Sequence, residues 1–218
     1  MTNLLSGFEN HVLNHHQVLV GDLSGIIFDL DNTLVTSSLD FAEIKAELNC
    51  PEHLDVLSFV ASLPIEQQHA ASEKIVEFEM ADAHSSSLLA GTREILALLT
   101  SLNLPFAIVT RNCKAAAQVK LTKNDLTIDL VLTREEHKAK PAPDALLHIA
   151  NLWRCPPEKL LYVGDYLYDI QAAKNANMPS CLLTFGEQPP YAHLATLVAQ
   201  DLSELNKALT IAFSDVNH

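Results

Sequence analysis

The sequence predicts an open α/β fold, in which helices cover both faces of a parallel sheet. Short apolar segments recur along the chain, and segments with helically spaced apolar residues lie between most of them. The apolar segments show little alternation of polar and apolar residues, as expected for strands buried on both faces of a parallel sheet. The length of 218 residues exceeds the roughly 150 of an average domain, which allows one domain with an insertion.

Five short segments are predicted as strands, because they are rich in apolar and β-branched residues and end in polar turn residues. Four helical patterns accompany them, since their apolar residues recur at spacings of three and four. Such alternation of strand and helix indicates a parallel α/β sheet. The predicted strands are 25–29, 105–110, 128–133, 160–164 and 180–185, and the predicted helices are 92–102, 114–121, 142–153 and 169–176.

Residues 36–90 interrupt this alternation, because they contain helix-spaced apolar residues and no strand pattern. Pro51 and Pro64 predict breaks that divide the stretch into about three helices. The serines at 85–87 predict a flexible return to the main domain. We therefore expect an N-terminal arm formed by 1–23, a core domain formed by 24–35 and 91–218, and a helical cap formed by 36–90 above the carboxyl ends of the strands.

The N-terminal arm contains apolar residues together with His11, His15 and His16. These histidines lack a carboxylate or cysteine at a spacing that is diagnostic of a metal site. The favoured interpretation is therefore a short amphipathic segment packed on the core, with metal binding as the alternative.

The composition is that of a globular protein with a strongly acidic balance. Lys and Arg total 14 against 27 Asp and Glu, and the resulting net charge of −13 disfavours nucleic acid as the main partner. No apolar run reaches the roughly 18 to 20 residues of a membrane span, and no secretory signal pattern begins the chain, so we expect a cytoplasmic protein without a membrane partner. The 4 cysteines form no CxxC pair, which predicts reduced thiols.

Polar residues with catalytic chemistry follow four of the predicted strands, at the edge where an open α/β sheet binds its ligands. Carboxylates crowded together repel one another and need a cation or a shared proton. Oxygen ligands without histidine or cysteine favour Mg²⁺, and a lysine, a hydroxyl and backbone N–H groups can hold a phosphoryl group. The pattern therefore predicts a phosphoryl-transfer site. Its residues are Asp29 and Asp31 after the first strand, Thr110 at the end of the second, Lys140 after the third, and Asp165 and Asp169 after the fourth.

Four sequence motifs at these positions resemble those of the haloacid dehalogenase superfamily. They are DLDNTLV, VTRN, KPAPD and GDYLYDI, in the order that the superfamily has them, and the resemblance spans residues 25–186. The chain is most similar to the branch of phosphoglycolate phosphatase-like enzymes, which carry a helical cap between the first and second motifs. The resemblance implies a Rossmann-like three-layer core with a small α-helical cap inserted after the first core strand.

The resemblance also implies a covalent mechanism. Asp29 matches the nucleophile that becomes an aspartyl phosphate. Asp31 matches the acid and base that protonates the leaving alcohol and then activates water. Mg²⁺ would be bound by the Asp29 carboxylate, the Asp31 backbone carbonyl and Asp165, with Asp169 as a direct ligand or as a partner of the ligands.

Three further residues match or adjoin the phosphate-binding positions of the superfamily. Thr110 and Lys140 match the phosphate-binding residues of the second and third motifs, and Lys140 also offsets the carboxylate charge. The backbone N–H of Arg111 is a candidate donor to the phosphate, and its side chain is a candidate for gripping a second anionic group.

The motifs depart from the usual pattern at a few positions. Asn32 stands where many members have glycine, and asparagine tolerates a positive φ there. Tyr166 and Tyr168 occupy a loop that often has smaller residues, so they are expected either to narrow the pocket or to pack the loop. For Arg93, an exposed position at the start of a helix is favoured over a role in binding an anion.

The predicted function is hydrolysis of a small phosphorylated metabolite by a Mg²⁺-dependent phosphatase. A dehalogenase is disfavoured, because the dehalogenases of this superfamily lack the second aspartate and Mg²⁺, whereas Asp31 and Asp165 are present here. A phosphosugar mutase of the same superfamily shares all four motifs and stays open as an alternative. A non-catalytic phosphate-binding regulatory module is the other alternative, disfavoured by the helical cap.

Overall fold

A parallel sheet of six strands forms the centre of the molecule in the computed structural model, which describes residues 22–215. The strands are β1 (Gly25–Phe28), β2 (Phe106–Val109), β3 (Val131–Leu132), β4 (Leu160–Gly164), β5 (Ser180–Leu183) and β6 (Leu197–Ala199). They lie in the order β3-β2-β1-β4-β5-β6, and each neighbouring pair is parallel. The first strand is therefore central, with β2 and β4 on either side.

Helices cover both faces of this sheet. They are α1 (Phe41–Glu47), α2 (Val56–Ser62), α3 (Ile65–Ser85), α4 (Thr92–Ser101), α5 (Lys114–Lys123), α6 (Asp144–Leu152), α7 (Leu167–Asn175) and α8 (Leu202–Asp215). Successive strand residues point to opposite faces, so Ile26 and Phe28 pack in one cluster with α4, α5 and α8, whereas Ile27 packs in a second with α6 and α7. The three layers confirm the predicted α/β fold.

The edges of the sheet differ from the prediction. The segment predicted at 128–133 contributes only the two residues of β3, an edge strand that pairs with β2. The sixth strand, β6, was missed, because a run of three residues with an exposed centre carries little strand signal. The final helix α8 was also missed, although Leu202, Leu205 and Leu209 repeat at helical spacing along its buried side.

The insertion after β1 consists of α1, α2 and α3, and it has a hydrophobic cluster of its own. Ile44 of α1, Val60 of α2 and Ile75 of α3 are buried in this cluster. Asp40 and Asp55 begin the first two helices, and their carboxylates accept backbone N–H groups of the first turn. The C-terminal half of α3 packs on α5 of the main body through small side chains such as Ala83 and Ala116.

The two connections between the insertion and the main body pair with each other. Val35 and Leu88 form an antiparallel bridge, and Thr36 N donates to Ser87 O at 2.7 Å. Ser86 is buried, and its hydroxyl accepts the Asn124 side-chain amide at 3.1 Å. A flexible return at 85–87 is not what the structure shows, because Ser85 ends α3 and Ser86 and Ser87 are held by hydrogen bonds to Asn124 and Thr36.

Two further expectations concern the N-terminal arm and membrane-spanning segments. The predicted N-terminal arm with its histidines lies outside the described residues, except for residues 22 and 23. Within residues 22–215, no helix has both the length and the apolar character that crossing a membrane requires.

Candidate active site

The carboxyl ends of β1, β2 and β4 meet at one edge of the sheet, and the predicted site residues follow these strands directly. Asp29 comes after β1, Thr110 after β2, and Asp165 after β4. Because β1 lies between β2 and β4, the three side chains face the same crevice. Asn32 has the positive φ of 51° that the sequence predicted for the turn after the first strand.

Three carboxylates in this crevice form a group that could hold a metal ion. Asp29, Asp165 and Asp169 each offer one oxygen, and these oxygens lie within 4.8 Å of one another. Burial, together with the charge of Asp169, raises the pKa of Asp29 to about 7 and the pKa of Asp165 to about 8. Such crowding is unfavourable without a cation, so the donor set fits a hard divalent ion such as Mg²⁺.

Lys140 supplies a cation within this carboxylate group. Its ammonium lies 2.7 Å from Asp29 Oδ1 and 2.6 Å from Asp169 Oδ1, and it donates to the Tyr162 hydroxyl at 2.8 Å. Burial opposes the charged form, but the Asp169 and Asp29 carboxylates outweigh it and raise the pKa of Lys140. The lysine therefore stays protonated and fixes the orientation of the Asp29 carboxylate.

Asp169 differs from the other two carboxylates in having both oxygens engaged by protein groups. Oδ1 accepts from Lys140 and from the Tyr162 hydroxyl, and Oδ2 accepts from the backbone N–H of Tyr166 at 3.0 Å. Within residues 22–215, no other residue donates a hydrogen bond to the Asp165 carboxylate. The Asp165 carboxylate and the second oxygen of Asp29 are thus the most available to bind a metal ion, and Asp169 instead orients Lys140 and Tyr162. A Cβ at Gly164 would collide with the Asp169 carboxylate, which explains the glycine before Asp165.

The Asp31 side chain belongs to a second polar network. One carboxylate oxygen pairs with Lys120, and the other accepts the Asn112 side-chain amide at 2.8 Å. The Lys120 side chain is fully buried, and its ammonium also contacts Asp82 of α3 at 2.7 Å. Asp82 in turn accepts from Ser37 and Ser38 at the entrance to the insertion. The network thus joins Asp31 of the main body to the insertion.

Thr110 is positioned to donate a hydrogen bond into the crevice. Its hydroxyl oxygen accepts from the backbone N–H of Asn112 at 3.1 Å and from the Asn112 side chain at 2.9 Å. The hydroxyl still carries its own proton, which it can donate to a ligand. Thr110 is buried and lines the same cavity as Asp29.

The two arginines considered from the sequence have different surroundings. Arg111 lines the cavity, where its guanidinium pairs with Asp55 of the insertion, donates to Lys140 O at 2.7 Å and lies 4.6 Å from the centre of the Tyr168 ring. Burial opposes the ionised form of Asp55, but Arg111 holds the pKa of that carboxyl below its usual value. Arg93 instead donates to Asn124 O at 3.1 Å and does not line this cavity.

A cavity of about 420 Å³ lies between the insertion and the sheet edge. Its floor contains the carboxylates and Lys140, and its opposite wall is formed by residues of the insertion. Tyr166 and Tyr168 both line it, with ring centroids 5.3 Å apart in an edge-to-face arrangement. The cavity is large enough for a small organic molecule whose anionic end reaches Asp29.

Several residues of these networks were not singled out from the sequence, among them Lys120, Asn112, Asp82, Tyr162 and Asp55. Lys120 carried a usable signal, because it lies on the same side of α5 as the buried residues Ala116, Ala117 and Leu121. Asn112 lies two residues beyond Thr110 in the second motif and could also have been found. Asp82 and Tyr162 meet their partners only through tertiary contacts.

Comparison with known proteins gives a family match and several relatives. The family model described as "Haloacid dehalogenase-like hydrolase" matches residues 56–183. A haloacid dehalogenase-like hydrolase domain-containing protein of Arabidopsis thaliana is 32% identical over 175 residues, which cover 74% of this chain and 71% of the relative. Phosphoglycolate phosphatase of Escherichia coli is 26% identical over 209 residues, covering 76% of this chain and 82% of that enzyme.

Solved structures share the fold. A hydrolase from Pseudomonas syringae superposes with a TM-score of 0.70 at 24% identity, over 86% of this chain and 98% of that one. At this identity the likeness concerns the fold alone.

Proposed function

This chain belongs to the haloacid dehalogenase-like hydrolase family, and we propose that it is a Mg²⁺-dependent phosphatase that hydrolyses a small phosphomonoester through an aspartyl-phosphate intermediate. The observation that carries the proposal is the surroundings of Asp29. This carboxylate ends the central strand, is oriented by Lys140, and shares its crevice with Asp165 and the Thr110 hydroxyl. A nucleophile, a cation and a hydrogen-bond donor for a phosphoryl group therefore lie in the same crevice.

The residues proposed to hold Mg²⁺ are Asp29, Asp165 and the backbone carbonyl of Asp31, with Asp169 fixing their arrangement. The fit is supported by the oxygen-only donor set and by the raised pKa values of Asp29 and Asp165. When bound, Mg²⁺ supplies positive charge that screens the carboxylates and the phosphoryl oxygens from one another.

In the first half of the reaction, an Asp29 carboxylate oxygen forms a bond to phosphorus while the bond from phosphorus to the substrate oxygen breaks. Asp31, in its protonated form, donates a proton to that oxygen, so the organic product leaves as a neutral alcohol. Lys140 and the Thr110 hydroxyl donate to the phosphoryl oxygens and keep the group in line with Asp29.

In the second half, water attacks the phosphorus of the aspartyl phosphate. The Asp31 carboxylate accepts a proton from this water, and the bond between Asp29 and phosphorus breaks. The products are inorganic phosphate and the original Asp29 carboxylate. The insertion covers the cavity opposite Asp29, where it excludes bulk water during the transfer.

The experiment that tests this function is phosphate release from a panel of small phosphomonoesters. We expect release with Mg²⁺ and a loss of at least about 100-fold after treatment with chelator, restored by adding Mg²⁺. Interconversion of sugar phosphate isomers without net release would instead identify a mutase. Binding of Mg²⁺ and phosphate with no turnover of any ester would identify a regulatory module.

The stability of the metal-free protein should depend on pH through Asp165. Its folded pKa of about 8 lies above its ordinary value of 3.8, so the folded state binds the proton more tightly than the unfolded state. This contribution to stability is complete below about pH 4 and is lost as the pH rises through 8. We expect Asp165→Asn to approach the stability of the wild type as the pH falls to about 4 and to melt at least about 2 °C higher at pH 9, both in chelator. Equal melting temperatures at pH 9 would contradict the raised pKa.

A further inference from the structure

We propose that the substrate is a phosphomonoester whose organic group is uncharged and partly apolar, and that the Asp55–Arg111 pair disfavours substrates with a second anionic group. This inference rests on the proposed function and names the substrate class of the same site. It is carried by the charges and the surface character of the cavity wall above the phosphate site.

Two of the three cations of the cavity wall within the described residues, Lys140 and Arg111, have anionic partners. Among residues 22–215, three cationic side chains line the cavity: Lys140, Lys45 and Arg111. Lys140 is engaged with Asp29 and Asp169 at the phosphate site, and the Lys45 ammonium donates to Glu52 O at 2.6 Å. Arg111 has its charge balanced by Asp55 and its guanidinium held by the Lys140 carbonyl and the Tyr168 ring.

Asp55 comes from the insertion and places its negative charge over a cation that would otherwise face the substrate. A second wall carboxylate, Glu79, is paired with Arg134, which also donates to the Arg111 carbonyl at 2.9 Å. A carboxylate on the substrate would therefore meet Asp55 and Glu79, and it would have to compete with them for Arg111 and Arg134. Lys45 is the cation of this wall whose hydrogen-bond partner is a neutral carbonyl. Like charges brought together in a partly desolvated cavity cost affinity.

The rest of the wall is apolar, and some of it is exposed. Phe41 of α1 is 59% exposed and Tyr166 is 53% exposed, although both are large aromatic residues and both line the cavity. Leu39 and Leu57 of the insertion line it as well. Exposed aromatic and aliphatic side chains in a concave site are typical of a surface that a ligand covers. Because these side chains lie beyond the phosphate site, they would contact the organic group.

The proposed substrate class differs from phosphoglycolate, the substrate that similarity to phosphoglycolate phosphatases would suggest. Phosphoglycolate places a carboxylate one carbon from its phosphate ester oxygen, where recognition would require a cation. Arg111 is the cation nearest in sequence to the phosphate-binding Thr110, but Asp55 balances its charge. The pair therefore favours a neutral group at that position.

The test compares matched esters that differ by one carboxylate. Phenyl phosphate is compared with 4-carboxyphenyl phosphate, and ethyl phosphate with phosphoglycolate, by kcat/KM at pH 7.5 with Mg²⁺. We expect the uncharged ester to be preferred by at least about tenfold in each pair. A carboxylated ester that is hydrolysed as well as its matched neutral ester, or better, would overturn the proposal.

Two variants test the residues. Asp55→Asn removes the charge while retaining the cap of α2, since asparagine is an equally good N-cap. It should shift the ratio of kcat/KM toward the carboxylated ester by about tenfold, and adding Arg111→Gln should reverse that shift. The ratio is the readout because a general loss of activity cancels in it. A ratio that Asp55→Asn leaves unchanged would overturn the role of the pair.

Failure of the proposed function is distinguishable from failure of this inference. If no ester of either pair, nor any other ester of the panel, is hydrolysed, the phosphatase proposal fails. Calorimetric titration of Asp29→Asn with the same esters then decides the inference, because binding reports the cavity wall without turnover. Tighter binding of the uncharged ester supports the inference, and binding of the uncharged ester that is equal to or weaker than that of the carboxylated ester overturns it.

Discussion

Replacing Asp29 by asparagine is expected to lower turnover of every accepted phosphomonoester by about 10⁴-fold or more, because an amide cannot form the aspartyl phosphate. The substitution keeps the size of the side chain. Burial raises the pKa of Asp29 to about 7, so removing this carboxyl should not lower the free energy of unfolding of the metal-free protein at pH 8. Phosphate release and urea unfolding measure the two effects.

The matched control is Asp22→Asn, the same change at the opposite end of the sheet. Asp22 pairs with Lys159 and is largely exposed, so its loss should leave turnover within about twofold of the wild type. Wild-type turnover by a folded Asp29→Asn would contradict the proposed mechanism. Loss of turnover together with loss of folding would instead assign Asp29 a structural role.

Replacing Lys120 by methionine is expected to lower the free energy of unfolding by about 3 to 5 kcal/mol, because it leaves two carboxylates without their shared cation. The Lys120 side chain is fully buried and contacts both Asp31 and Asp82. Methionine retains most of the aliphatic volume, so loss of packing is small. Urea unfolding at pH 7 measures the difference.

Lys114→Met is the control on the same helix. Lys114 is exposed and lies 3.7 Å from Glu136, so its removal should cost less than about 1 kcal/mol. Adding Asp82→Asn to Lys120→Met should recover part of the lost stability, since one uncompensated carboxylate is then removed. An equal loss for Lys114→Met and Lys120→Met would show that the buried ammonium has no special role.

The residues that end the strands were predictable from the sequence because position along the chain fixes their place. Asp29, Thr110 and Asp165 each follow an apolar run, and the carboxyl ends of parallel strands meet at one edge. Asn32 was predictable for a similar reason, since the turn requires a positive φ that asparagine tolerates.

The contacts across the cavity were not predictable in the same way. Asp55 meets Arg111, and Asp82 meets Lys120, only because the insertion folds over the sheet edge. No periodicity or spacing rule pairs residues so far apart in the chain. The sequence therefore predicted the floor of the cavity in more detail than its wall. It predicted Arg111 as an anion-binding residue of the wall, but not that Asp55 is its partner.

The pairing of the two connections at Thr36 and Ser87 has an evolutionary consequence. Because the chain leaves the main body and returns to it at neighbouring points, the length of the insertion places no strain on the sheet. One insertion can therefore be exchanged for another. The exchangeable portion ends before Glu79, since the last turns of α3 pack on α5 and hold Lys120 through Asp82. On the proposed function, a graft that keeps those turns is expected to change which organic group is accepted while leaving Asp29, Thr110 and Lys140 in place.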